Sequence, residues 1–212
     1  VAVTGDSVAE DPETFFLQLA NPTNATLAAP DFGTATINDN DPKPNIQFSA
    51  NLYSVGEAAG AATITVTLSV TSEQTISVTY SITDGTAVAP GDFTAAVNTL
   101  VIPPNTLSQS FSVAINNDLL DENNETVRLF LSNPINATFG PGPTAALLTI
   151  VDDDLPPTVQ FSGPTYSVNE ADLQAVVTVT LSTPSGRPVD INYSTSDGSA
   201  TVADGPRVAE GS

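Results

Sequence analysis

The chain has 212 residues and a mass of 21.7 kDa, with 4 Lys and Arg against 24 Asp and Glu, a formal charge of −20 and a pI near 4.1. A surface this acidic repels phosphate backbones and anionic membranes, which argues against nucleic-acid and lipid-surface partners. Cys, His, Met and Trp are all absent, so disulfides, thiol nucleophiles, imidazole triads and the usual zinc ligands are excluded.

In chain order, the first stretch carries Phe15, Leu17 and Leu19 at alternate positions and then NPTNATL at 21–27. From residue 44 onward a period of two dominates. Ala62, Ile64, Val66 and Leu68 alternate with threonines, Ile76, Val78, Tyr80 and Ile82 with Ser and Thr, and Phe111, Val113 and Ile115 follow the same rule, as do Val127, Leu129 and Leu131. Such alternation predicts half-buried strands with one face on a core and one in water. Pro103-Pro104, Asn133-Pro134 and the Gly140-Pro141-Gly142-Pro143 run punctuate it. The predicted strands are 46–57, 61–70, 75–83, 92–96, 98–115 (broken at the prolines), 125–132 and 144–151, and no window supports a helix of useful length. Seven short antiparallel strands in about 110 residues predict an all-β, immunoglobulin-like sandwich, with an eight-stranded barrel as the lesser alternative.

The pattern repeats. NPTNATL at 21–27 matches NPINATF at 133–139, an offset of 112 that also lays Asp6, Glu10 and Glu13 on Asp118, Glu122 and Glu125. IQFSANLYSVGEA at 46–58 matches VQFSGPTYSVNEA at 159–171, an offset of 113 that continues to YSITDGTA at 80–87 and YSTSDGSA at 193–200. A period this long marks tandem domains rather than a solenoid. Residues 1–41 are thus read as the C-terminal part of a repeat, 44–155 as a complete domain, and 157–212 as the N-terminal part of another.

Carboxylates gather at Glu57, Asp84, Asp92, 118–125 and 152–154. If successive strands run antiparallel, the first, third, fifth and seventh all end at one pole of the sandwich. Glu57, Asp84 and Asp152 each lie two residues beyond an inward-facing side chain, so each continues the inner row as its strand leaves the core. The flanking segments keep this spacing at Asp39, Glu170 and Asp197. Carboxylates converging on one small region repel unless protonated or bridged by a cation. All-oxygen donors without His or Cys favour Ca²⁺ over zinc or copper, and a crowded flexible loop cluster favours Ca²⁺ over Mg²⁺. The bland reading of Asp152-Asp153-Asp154 is a solvated linker.

The series FSxxxYSVxEA, VTLS, YSxTDGTA, GDF, NDxxDExxE, LSNP and TIxDDD resembles the Calx-beta domain, a family found in sodium–calcium exchangers, bacterial surface proteins and cell-adhesion ectodomains. The resemblance covers nearly the whole chain and implies tandem seven-stranded antiparallel β-sandwiches that bind Ca²⁺ at their distal loops. Carried over by position, it implies Glu57, Asp84, Asp118, Glu122, Glu125, Asp152, Asp153 and Asp154 as ligands, with Glu10, Glu13, Asp39, Asp41, Glu170 and Asp197 as their counterparts in the flanking segments. Asn116 and Asn117 stand where the family often has Asp, which lowers ligand charge. A weaker site, on the order of 10⁻⁴–10⁻³ M, suits extracellular calcium.

The acidic linkers Asn40-Asp41-Pro42-Lys43-Pro44 and Asp152-Asp153-Asp154-Leu155-Pro156-Pro157 join successive repeats, and their prolines stiffen the connection. The expected function is a non-catalytic, calcium-binding extracellular repeat protein forming a stalk or filament, with a calcium-sensing regulatory module or a glycan- or protein-binding adhesin as alternatives. The expected partners are neighbouring repeats of the same chain or a homotypic head-to-tail assembly, in which one copy's end completes the next copy's beginning. A glycosidase reading of Glu122 and Glu125 lacks a cleft and an aromatic platform. No apolar run approaches the ~20 residues of a membrane span, and the absence of an initiator Met reads as processing or as a piece of something longer. Sequons at Asn24, Asn124, Asn136 and Asn192 are compatible with secretion.

Overall fold

The computed structural model describes residues 1–172, 174–196 and 198–199. They divide into two compact units. One comprises Val1–Asn117 with Asn124–Val151, the other Asp118–Asn123 with the chain from Asp152 onward.

In the first unit, β1 (Glu13–Gln18) and β2 (Phe32–Ile37) pair as an antiparallel hairpin. A sandwich follows, built from β3 (Asn45–Phe48), β4 (Leu52–Gly56), β5 (Ala61–Leu68), β6 (Ile76–Asp84), β7 (Ala96–Ile102), β8 (Ser108–Ala114), β9 (Glu125–Ile135), β10 (Thr138–Phe139) and β11 (Ala145–Val151). One sheet has the order β10-β3-β5-β8, the other β4-β11-β9-β6-β7. The alternating residues meet between the sheets: Ile64, Val66, Val78, Val113, Val127, Leu129 and Leu148 are fully buried. Each contributes roughly 1.5–3 kcal/mol relative to exposure. Tyr80 stacks on Phe111 with ring centroids 3.8 Å apart.

The first predicted strand is split in two by its own tyrosine. The Tyr53 hydroxyl donates to Thr65 O (3.2 Å) and accepts from Ala50 N (3.2 Å), pinning the bend at 49–51 that sends the chain from one sheet to the other. As a result β4 lies parallel to β11, and β3 parallel to β10, within an otherwise antiparallel sandwich. The segment 92–96, expected as a strand, is instead mostly loop. Phe93 forms only an isolated bridge to Ile115, and its ring is a core plug. Nor is 98–115 one interrupted strand. β7 pairs with β6 in one sheet and β8 with β5 in the other, so Pro103-Pro104 mark a crossover between sheets. Proline cannot donate to a ladder, and Asn105 takes the left-handed conformation (φ 59°) that turns the chain.

In the second unit, β12 (Val159–Phe161) pairs antiparallel with β13 (Val179–Leu181). Tyr166 repeats the bend, its hydroxyl donating to Thr178 O at 2.8 Å. Val189, Ile191 and Tyr193, the counterparts of buried Ile76 and Val78 and half-buried Tyr80 in β6, are exposed and form no strand. β6 is held on both sides, by β7 and β9; without such neighbours a strand's backbone groups turn to water.

Candidate metal centre

At one end of the five-stranded sheet, β4 closes at Gly56 beside Val151, and Asp84 closes β6 opposite Val127. The β6 exit is pinned to β9 by the DGTA motif. A Cβ at Gly85 would collide with the Thr126 carbonyl, so only glycine allows this approach. Thr86 N donates to Thr126 Oγ1 (3.2 Å), and Thr126 N donates back to Thr86 Oγ1 (2.8 Å). The loop then folds on its own acids. Asp84 Oδ1 accepts from Ala89 N (3.1 Å) and Asp92 Oδ2 from Val88 N (2.7 Å). Asn116 Nδ2 donates to the carbonyls of Pro90 (2.6 Å) and Gly91 (2.9 Å), contacts that an aspartate, being only an acceptor, could not make. A carboxylate oxygen of Asp92 and one of Glu125 come within 4.8 Å of one another. That is the span two ligands subtend across one Ca²⁺ at ~2.4 Å each. Glu57 sits in the 3₁₀ turn after β4 and is buried.

The first linker holds a second group. Asp39 lies just past β2, its Oδ2 accepting from Glu10 N and its Oδ1 from Asp41 N, both at 3.1 Å. These backbone donors hold its carboxyl below the usual aspartate range. Glu10 is pushed up, first by desolvation and then by the charges of Asp6, Glu73, Glu13 and Asp39. Asp41 is pushed up by desolvation and by Asp39 and Asp6. Glu13 opens β1 on an exposed position opposite Ile37.

The second unit carries the equivalent group. Asp154 is pushed up by desolvation first, then by Asp152, Asp153, Asp118 and Asp121. Its Oδ2 is buried with no hydrogen-bond partner. Carboxylate oxygens of Asp118 and Asp154 come within 4.8 Å of each other. Asp118 Oδ1 also accepts from Leu120 N at 2.7 Å, as Asp6 Oδ1 does from Val8 N at 2.8 Å in the loop before β1. A buried carboxylate oxygen without a donor, among other carboxylates, calls for a proton or a cation. The donor set is all oxygen and fits Ca²⁺; Asp118 and Asp154 would hold it, with Asp152 and Asp153 supplying further charge. Glu122 is half-buried, with its Cγ against Gly186. Glu170 opens an exposed 3₁₀ turn, Glu170–Asp172. Asp197 lies outside the described residues.

Asp121, the second Asp of the NDxxDExxE stretch, is not among the residues that the sequence singled out as ligands. It is only 4% exposed and its Oδ2 meets Arg187 Nε at 3.3 Å. The repeat offset lays it on Ala9, so comparison of the repeats gave no acidic match there.

The Calx-beta domain model matches residues 1–41, 39–154 and 152–207, and the chain belongs to the Calx-beta family. Extracellular matrix protein 3 of Lytechinus variegatus is 31% identical over 212 aligned residues, which cover 95% of this chain and 7% of that protein. FRAS1-related extracellular matrix protein 2 of Homo sapiens is 28% identical over 187 residues, 81% of this chain and 6% of that protein. The chain therefore spans less than a tenth of the length of either relative. The crystal structure of the apo-form Calx CBD1 domain superposes with a TM-score of 0.50 at 29% identity, over 53% of this chain and all of that one. The sandwich is thus a Calx-beta fold, a binding and regulatory type of module whose relatives include extracellular matrix proteins. No helix among the described residues is long and apolar enough to cross a membrane.

Proposed function

We propose that this chain is a non-catalytic, Ca²⁺-binding structural repeat of an extracellular protein, in which ions held at the acidic linkers stiffen successive Calx-beta repeats into a stalk or filament. The observation that carries the reading is the buried, donor-less Asp154 Oδ2 among Asp118, Asp152 and Asp153. Its support is recurrence: Asp41, at the equivalent place in the first linker, is pushed up by the same causes, desolvation and neighbouring carboxylates. Each group stores repulsion that a divalent ion would convert to attraction. The extracellular relatives favour a matrix or surface location, where millimolar calcium would fill even a weak site. An adhesive role fits the same class of protein.

Calorimetric titration of the metal-free chain with Ca²⁺ tests the ion, and small-angle scattering with and without chelator tests the stiffening. Binding in the micromolar-to-millimolar range with a longer maximum dimension in calcium is expected. No heat of binding removes the metal reading. Binding with an unchanged maximum dimension removes the stalk and leaves a calcium-sensing module.

A further inference from the structure

Two short contacts in different parts of the molecule are copies of one another. In the first unit the loop before β1 meets the turn after β5. Ala9 and Ser72 form a parallel bridge, Ser72 Oγ donates to Ala9 O (2.8 Å), and Glu73 N donates to the same carbonyl (3.2 Å). The turn is closed by Gln74 N donating to Ser72 Oγ at 3.0 Å. In the second unit Asp121 and Ser185 form the same parallel bridge, Gly186 N donates to Asp121 O (3.1 Å), and Arg187 N donates to Ser185 Oγ (3.1 Å). The offsets of 112 and 113 carry Ala9 onto Asp121, and Ser72, Glu73 and Gln74 onto Ser185, Gly186 and Arg187. In both places a loop of one repeat is gripped by a turn of the next.

The backbone contacts are shared and the side chains are not. Ala9 is 2% exposed, and beside it Gln74 Nε2 donates to Glu10 O (3.3 Å) and Asp11 Oδ1 (2.6 Å). Asp121, equally buried, faces Arg187. We infer that this turn is the receptor by which each repeat takes hold of the loop of the repeat before it, and that the residue pair 9/74 or 121/187 decides which loop each turn accepts. The partner it fits is thus another Calx-beta repeat: a loop with a small apolar residue at the Ala9 position for the Gln74 turn, one with an aspartate there for the Arg187 turn. A mismatch leaves either a buried Asp without its guanidinium, beside Glu10 and Glu73 in the first case, or a guanidinium without its acid. Tandem repeats with distinct pairs would therefore dock in one order only. The grip uses backbone groups and does not rest on the calcium reading.

Amide hydrogen exchange on the full chain, in calcium and in chelator, tests the receptor. The Glu73 and Gly186 amides are expected to exchange at least ~100-fold more slowly than free peptide amides in both conditions; free-peptide rates in both would overturn it. Ala9→Asp should lose at least ~10-fold of the Glu73 protection while β6 amides stay protected, and adding Gln74→Arg should restore it and make it salt-sensitive. Arg187→Gln should weaken protection of the Gly186 amide alone. If the double variant shows no more than the sum of its single effects, the pairing rule is wrong, whatever the calcium titration gives.

Discussion

Asp154 and Asp39 show how two aspartates in equivalent linkers can pull in opposite directions. Asp39 is satisfied by backbone donors and stabilises the fold when charged; Asp154, Asp41 and Glu10 are desolvated among like charges and oppose it when charged. The signs follow from linkage. A group with a raised folded pKa costs stability above that pKa, and the cost is relieved as pH falls through it. The contribution of Asp39 holds above the ordinary aspartate range and is lost below it. In chelator, thermal stability should therefore rise as pH drops from 7 toward the carboxylate range and collapse on further acidification. Saturating Ca²⁺ should move the optimum back toward neutrality. A chelated protein whose melting temperature falls steadily from pH 7 downward would contradict this assignment. Asp154→Asn should weaken calcium binding by about 10-fold or more, since it removes a charged ligand. It should also leave stability in chelator unchanged or higher, because repulsion is removed with it. Calorimetry and melts in chelator measure the two effects separately.

Among the elements, the loops at the sheet end are as determined as the strands, and they are held from below by Phe93 and from the side by Asn116. Phe93 belongs to no ladder, yet it is fully buried. Phe93→Ala should cost about 3–5 kcal/mol in chemical denaturation, the range for emptying a core aromatic site; a loss under 1 kcal/mol would mean that the ring is not the plug described. Asn116→Asp tests the loop clamp. It places a carboxylate against the carbonyls of Pro90 and Gly91 and forfeits both hydrogen bonds, so a loss on the order of 1–3 kcal/mol is expected in chelator. An aspartate that binds calcium better and costs nothing would show that the site prefers charge to the clamp. The residue pattern predicted β5, β6 and β11 closely because their alternation is strict. It misplaced 92–102 because Phe93, Ala96 and Leu100 all face the core, although Phe93 reaches it from a loop; burial alone does not distinguish a strand from a plug.

For the whole molecule, the flanking segments leave exposed apolar residues whose counterparts in the sandwich face its core. Phe15 is half-buried, and Leu17 and Leu19 are exposed, where Val127, Leu129 and Leu131 are buried in the sandwich; Phe161, Val168 and Val179 are exposed likewise. Apolar faces of this kind ask for the complementary strands of a Calx-beta repeat. We propose a second copy of the chain as one source of them, the β1–β2 hairpin of one copy completing the β12–β13 segment of the next. Sedimentation over a wide concentration range should show open-ended association of the 212-residue chain. A monomer at every concentration would assign the complementary strands to neighbouring repeats of the same chain instead.

From the sequence alone came the all-β class, the repeat period, the residues that fill the core and the acidic linkers, because side-chain alternation and carboxylate spacing are local properties written in residue order. Tertiary structure decided the rest. Which sheet each half of the first strand joins depends on a hydroxyl reaching a carbonyl on another strand. Likewise, the opposite behaviour of Asp39 and Asp154 depends on which backbone donors happen to face them. The burial of Asp121 on Arg187 depends on a turn 64 positions further along the chain. Such contacts join residues distant in sequence, and only the packed chain brings them together.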